Sequence, residues 1–225
     1  MDPARIAALL TPYMSHPLSG EQVAQLSTYL DLLLRWNARV NLTAVRDEES
    51  IVTRHFGESL FAASCLFPFT PLSSVAAANP ALDAASQTPA VLDIGSGAGF
   101  PGIPIRIWVP HLRLTLIESN HKKVAFLREV CRSGRLMNVN VFEGRAEDFP
   151  AAGDLVTLRA VECFQEILPV AARLVSPGGR LALLIGSGQT DAALDLPGFY
   201  WEHARPTPGS RERVVLVGTR QESKK

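Results

Sequence analysis

The feature that most constrains the fold is a short apolar run ending in a cluster of glycines, VLDIGSGAGFPGIP at residues 91–104. Glycine accepts the left-handed backbone of a tight turn and lets the chain approach a ligand closely. The cluster reads in two registers. Gly95, Gly97 and Gly99 give G-x-G-x-G, whereas Gly97, Gly99 and Gly102 give G-x-G-x-x-G, a dinucleotide fingerprint. In either register a strand runs into a turn that opens on a helix.

The segments that follow extend this unit. AVLDI, LRLTLIE, VNVF, DLVTLR and RLALLIG read as five strands. Between the second and third lies NHKKVAFLREVCRSG, with Val124, Leu127, Val130 and Cys131 on one helical face, and CFQEILPVAARLV follows the fourth. Such alternation predicts an α/β fold, a parallel sheet with helices on both faces. FYWEHARPTP and RERVVLVGT leave no room for a helix between them and predict an antiparallel hairpin at the sheet edge. The first third reads helical. Ser19 and Gln22 form a capping-box pattern before Val23, Leu26, Leu30, Leu33 and Leu34, and Asp47 can cap a helix that buries Ile51, Val52, Phe56 and Leu60. Residues 68–89, rich in Pro, Ala and Ser, break every period and read as a loop or flexible insertion. The expected division is a helical extension over 1–67, this insertion, and an α/β domain over 90–225.

Composition narrows the class. A chain of 225 residues, 47% hydrophobic and 20% charged, builds an ordinary core. Its zero net charge excludes strong steering of the whole protein toward nucleic acid. Cys65, Cys131 and Cys163 form no C-x-x-C pair, which fits a reducing cytosol. The five histidines lack close ligand spacing, so no metal is expected. The N-terminus has an acid at position 2 and no long apolar run, and no secretory signal or membrane span is expected.

Three features favour G-x-G-x-G, and with it S-adenosylmethionine over a nicotinamide or flavin. Gly95 follows the strand directly, while Gly97 is late for a strand-to-helix turn. Pro101 and Pro104 remove N–H groups where a pyrophosphate needs them. EGRAEDF after the third strand offers an acid or amide to an adenine amino group. The C-terminal hairpin, common in methyltransferase sheets, adds weight to these three. Glu118 ends the second strand where a ribose is held, which suits either cofactor. Asp93, a charge inside VLDIG, needs a partner; loop amides and a methionine ammonium are its candidates.

Several motifs here resemble the glucose-inhibited division protein B family of bacterial small-subunit ribosomal RNA guanine-N7 methyltransferases. They are WNARVNLTAV at residues 36–45, DIGSGAGFPGIP, IESNHKKVAFLREV, GRAEDF and the LRAVE segment, and the match runs from about Leu33 to Val217 apart from the insertion. The resemblance implies a class I (Rossmann-like) S-adenosylmethionine-dependent methyltransferase fold. Its sheet would be mostly parallel and seven-stranded, with an antiparallel C-terminal hairpin and a helical N-terminal extension. It implies cofactor contacts at Gly95, Phe100, Ala146, Glu147 and Arg159, with Glu118 as the ribose acid and Asp93 and Gly97 in the same loop. It implies methylation of a guanine N7 in small-subunit (16S) ribosomal RNA, in a cytoplasmic chain expected to be a monomer. Two positions depart from the family: Glu58 replaces an aspartate, and Ile185 replaces a lysine before glycine. A basic tail is reduced to Lys224 and Lys225.

No nucleophile–base pair lies near the glycine loop in sequence, and no catalytic residue is assigned. Cys163 reads as a small buried helix residue rather than a nucleophile. Arg159 ends the fourth strand and is also a candidate hydrogen-bond donor to guanine O6. Lys122 and Lys123, with His121, Arg128, Arg132 and Arg135 expected on one helical face, are candidate RNA contacts, as are Arg54 and His55. Trp36 reads as core, and Asn37 and Asn41 as caps. The neutral charge points to recognition of a shape, small-subunit RNA or an assembling ribosomal particle. The readings set against this are a methyltransferase for a small molecule or protein, a nicotinamide oxidoreductase, and a ribosome-binding module.

Overall fold

The computed structural model describes residues 1–68, 88–160 and 163–222. The expected insertion lies, apart from its ends, outside the described residues, as do Val161 and Glu162 of the LRAVE segment and Lys224 and Lys225.

Eight strands form one sheet: β1 (Ala90–Ile94), β2 (Arg113–Glu118), β3 (Val139–Glu143), β4 (Gly153–Arg159), β5 (Val175–Gly186), β6 (Phe199–Trp201), β7 (Arg205–Pro206) and β8 (Arg213–Arg220). The order is β3-β2-β1-β4-β5-β8-β6, with β7 also on β8. β1 to β5 pair in parallel, and β8 inserts antiparallel beside β5. The expected hairpin is present, but its outer arm is broken. β6 pairs with one half of β8 and β7 with the other, so seven positions hold eight strands. Pro206, which has no N–H, sits on this edge, where none is demanded. β5 begins five residues earlier than RLALLIG, because Val175 already pairs with Gly153 before a register shift.

Chain order reverses at β1, which has β2 on one side and β4 on the other. Open α/β sheets bind ligands beyond the carboxyl ends of the strands at such a point. Side chains alternate between two cores. Val91, Ala182, Leu184, Val215 and Val217 face one; Leu92, Ile94, Leu181, Leu183, Ile185 and Leu216 face the other. Ile185 is thus a buried core residue.

The first core is covered by α1 (Pro3–Leu10), α2 (Gly20–Asn37), α3 (Glu48–Ile51), a π-helical turn over Val52–Gly57, α4 (Glu58–Leu66), α5 (Gly102–Trp108) and α6 (His121–Ser133). The second is covered by α7 (Phe164–Arg173) and α8 (Thr190–Leu194). The capping box at Ser19 and Gln22 forms with both bonds, and Asp47 accepts from the Ser50 N–H. Ile51, Val52, Phe56 and Leu60 are buried as expected. Asn37 caps the loop after α2, accepting from the Leu42 and Thr43 N–H groups and donating to the Thr43 carbonyl. Trp36 is only half-buried, and its indole N–H donates to Glu129 at 3.0 Å.

Two expectations fail locally. α6 ends at Ser133, and Arg135 lies beyond it with φ of 50°, so it leaves the expected basic face; Arg128 of that face pairs with Glu143 at 3.3 Å. Cys163 is exposed rather than buried. It precedes α7 with φ of 53°, which turns it out of the helical register that would bury it.

Candidate functional site

The glycine loop is a chain of backbone bonds anchored on β1 and β2. Gly95, Gly97 and Gly99 have φ of 62°, 57° and 95°, the left-handed region that excludes most side chains. The Ser96 N–H donates to the Ile117 carbonyl, and the Ser96 hydroxyl to the Asp93 carbonyl. Gly99 N–H donates back to Ser96 at 2.6 Å.

Asp93 resolves the register. Its carboxylate accepts the Gly102 N–H at 3.3 Å and the Thr157 hydroxyl at 2.6 Å, and no solvent reaches it. Gly102 begins α5. The helix start that a pyrophosphate requires therefore already holds this chain's own carboxylate, and Pro101 and Pro104 withhold further N–H groups. A Cβ on Gly102 would stand 2.8 Å from the Asp93 Oδ2, which accounts for that glycine without a phosphate. Burial pushes the Asp93 carboxyl up to about 6, against the pull of its hydrogen bonds.

Beyond the carboxyl ends of β1, β2 and β3 lies a cavity of about 330 Å³, lined by Ile94, Gly95, Ile117, Glu118, Ser119, Gly144, Arg145, Ala146, Glu147 and Ile167. Glu118 is nearly buried; one carboxylate oxygen accepts the Gly97 N–H and the other the Asn120 N–H, both at 2.8 Å. Each oxygen keeps a second lone pair. Asn120 in turn caps α6, accepting from the Lys122 and Lys123 N–H groups. Of the eight residues expected at a cofactor, Gly95, Glu118, Ala146 and Glu147 line this cavity. Gly97 sits one hydrogen bond behind it, and Asp93, Phe100 and Arg159 do not line it. The apolar isoleucines and the carboxylate with spare acceptor capacity fit an adenosyl group, a flat ring system joined to a diol.

Arg159 and Phe100 belong to a second assembly on the same rim. Arg159 Nη2 donates to the Arg54 carbonyl at 2.8 Å, to His55 Nδ1 at 3.1 Å and to Glu58 at 3.1 Å. Glu58 takes Arg213 Nη2 on its other oxygen at 2.6 Å. His55 stacks on Phe100 with 5.0 Å between ring centres, and its Nε2 meets the Thr43 hydroxyl at 2.7 Å. Because a guanidinium only donates, Nδ1 is the acceptor and Nε2 carries the proton. Burial, then the charges of Arg159, Arg54 and Arg213, hold the His55 pKa down to about 3. Arg54 itself is exposed. Lys122 and Lys123 are exposed and half-exposed beside the cavity, and neither has an ion-pair partner among the described residues.

Sequence reasoning noticed Glu58 but missed its two arginines, of which Arg213 comes from the start of β8, beyond β5 in the sheet. A charge inside GESLFAAS on a buried helix was the available signal. It also missed Asn120, although an Asn just before an apolar helical pattern is an N-cap signature. Burial pushes the Cys131 thiol up to about 11.

The strand order with its antiparallel insertion, the glycine loop without a phosphate site, and the acid ending β2 together define a class I, Rossmann-like methyltransferase. Residues 22–197 match the rRNA small subunit methyltransferase G family, and the chain belongs to it. It is 42% identical to Ribosomal RNA small subunit methyltransferase G of Xanthomonas euvesicatoria pv. vesicatoria over 220 residues, 96% of this chain and 94% of that one. It is 37% identical to the protein of the same name from Stenotrophomonas maltophilia, over 96% and 97% of the two chains. Among solved structures, TrmN from Thermus thermophilus shares the fold with a TM-score of 0.54 at 20% identity, covering 75% of this chain and 53% of that one.

Proposed function

We propose that this chain transfers a methyl group from S-adenosylmethionine to N7 of a guanine in small-subunit ribosomal RNA. The reading is carried by the cavity: in a chain of this family, a buried carboxylate with spare lone pairs stands at the carboxyl end of β2, beside a glycine turn. Glu118 would hold the ribose hydroxyls. Gly95, Ala146 and Glu147 would line the adenosyl group, with the apolar faces of Ile94, Ile117 and Ile167. Arg159 uses Nη2 alone for its bonds to the extension, which leaves Nε and Nη1 for the cofactor or for guanine O6. Asp93 fixes the loop from behind by binding Gly102 and Thr157.

When bound, S-adenosylmethionine supplies a methyl carbon on a positively charged sulfur. Guanine N7 presents a lone pair and no proton, so transfer would join N7 to that carbon and leave the electrons of the carbon–sulfur bond on sulfur. No base is required. His55, the titratable ring nearest Arg159, is held neutral with both ring nitrogens engaged. The protein's work is then alignment and exclusion of water, effects that reach about 7–11 kcal/mol at best.

We infer that Lys122 and Lys123, at the start of α6 beside the cavity, meet RNA phosphates. Arg54 lies on the substrate side, while His55 acts through Arg159 and Phe100. Among the described residues no helix is long and apolar enough to cross a membrane. We place the chain in the cytoplasm as a monomer acting on small-subunit RNA or the small ribosomal subunit.

The test is transfer from labelled S-adenosylmethionine to small ribosomal subunits, and to their extracted RNA, from cells lacking this protein. Nucleosides are then identified by mass after digestion. One new 7-methylguanosine is expected, and the better of the two substrates shows whether ribosomal proteins matter. No label in either, with the cofactor bound, would keep the fold and send the substrate elsewhere.

A further inference from the structure

We propose that Tyr29, on helix α2 of the N-terminal extension, is a positioning residue for the cofactor loop, its hydroxyl fixing the orientation of the Ala98–Gly99 peptide. The inference rests on the reading that the cavity lined by Gly95 and Glu118, which this loop borders, holds S-adenosylmethionine. Tyr29 is 1% exposed, and its hydroxyl donates to the Ala98 carbonyl. The N–H of the same peptide unit, at Gly99, donates to the Ser96 carbonyl. One peptide plane is thus tied at both ends, once inside the loop and once from a helix about 70 residues earlier. On the C-terminal side of this plane Gly99 carries no Cβ, which lowers the steric barrier to its rotation. The hydroxyl supplies the restraint that the sequence of the loop lacks.

The fit is reciprocal. A Cβ on Gly99 would stand 2.7 Å from the Tyr29 hydroxyl oxygen. The Tyr29 ring stacks on Phe100 at 5.3 Å and 18°, so it touches three consecutive loop residues. A phenylalanine would fill the same apolar space against Phe56 and Phe100. A buried phenol needs a partner, and among the described residues the loop carbonyl is that partner. Rotation of this peptide would release Gly99 from Ser96 and disturb the Gly97 N–H that anchors Glu118 in the cavity.

The experiment compares Tyr29→Phe with wild type in three readouts: calorimetric affinity for S-adenosylhomocysteine, KM for S-adenosylmethionine against kcat, and unfolding midpoint in urea. Leu33→Ala, which opens a cavity on the buried face of the same helix, is the structural control. Tyr29→Phe is expected to weaken affinity and raise KM by about 5–20-fold, the effect of one buried hydrogen bond, with kcat within about twofold. Leu33→Ala is expected to lower the midpoint further while leaving affinity alone. Equal affinity of Tyr29→Phe and wild type overturns the proposal. So does loss of affinity in both variants in proportion to lost stability, and so does a Tyr29→Phe chain that does not fold. Wild type that fails to bind S-adenosylhomocysteine overturns the cofactor reading itself, which separates the two failures.

Discussion

Two polar assemblies share the carboxyl-terminal rim of the sheet, and they are built on opposite principles. At the ends of β1, β2 and β3 the groups are half satisfied. Glu118 binds two backbone N–H groups of its own chain and keeps acceptor capacity facing a cavity of about 330 Å³. At the end of β4 and the start of β8 the charged groups pair mainly with each other. Glu58 bridges Arg159 and Arg213, His55 accepts from Arg159, and Thr43 meets the far side of His55. Both cost desolvation. The open one recovers it when a ligand arrives, and the closed one recovers it during folding. A change in the closed cluster should therefore appear as stability, and a change in the open cavity as affinity.

Glu58→Gln gives the largest expected effect. It leaves two arginines facing a neutral amide, one of them with a side chain only 12% exposed. Breaking a buried pair from one side typically removes about 3–5 kcal/mol. Urea unfolding measures it, and a loss below about 1 kcal/mol would show that water already screens the cluster. Glu58→Asp keeps the charge but not the reach to both arginines, and should fall between. Glu118→Ala sharpens the comparison from the other side. Hydrogen bonds to a charged group are worth about 1.5–3 kcal/mol each. Affinity for S-adenosylhomocysteine should then drop by about 10–100-fold, with a smaller loss of stability than in Glu58→Gln. If Glu118→Ala instead unfolds the chain with affinity intact, the open site is a structural clasp for the glycine loop.

The sheet was legible because its evidence is local. Each strand is a short run bounded by turn residues, and AVLDI appears in the fold with the same ends. The capping box at Ser19 needed only four residues to be seen. The open half of the site was legible for the same reason, since Gly95, Glu118, Ala146 and Glu147 each end a strand or follow one. The closed half was not. Glu58 and Arg159 are 101 residues apart, and Arg213 arrives on a strand whose place beside β5 is set by the whole sheet. The π-helical turn at Val52–Gly57, which brings His55 and Glu58 toward Arg159, leaves no periodic trace in a run this short. Cys163 failed for a related reason: a left-handed residue at a helix start reverses the exposure that helical spacing predicts.

In acid the two halves act against each other, and in wild type their net effect is the smallest of these. His55 titrates near 3 in the fold because of burial and three arginines, below its ordinary 6.5. Between these values the unfolded chain binds a proton that the folded chain refuses, so stability falls as pH falls. Asp93 is the reverse. Burial raises it to about 6 from 3.8, so from pH 6 down to 4 the folded chain takes the proton first and stability rises. The two slopes, each about 1.4 kcal/mol per pH unit, nearly cancel over that window. Asp93→Asn removes one of them. Its stability measured against pH should fall away from wild type by about 1.4 kcal/mol per unit between pH 6 and 4, reaching on the order of 3 kcal/mol. His55→Gln should tilt the curve the other way over the same range. Parallel curves for Asp93→Asn and wild type would mean that Thr157 and Gly102 satisfy the carboxylate fully, and that the loop behind the open site is as closed as the cluster beside it.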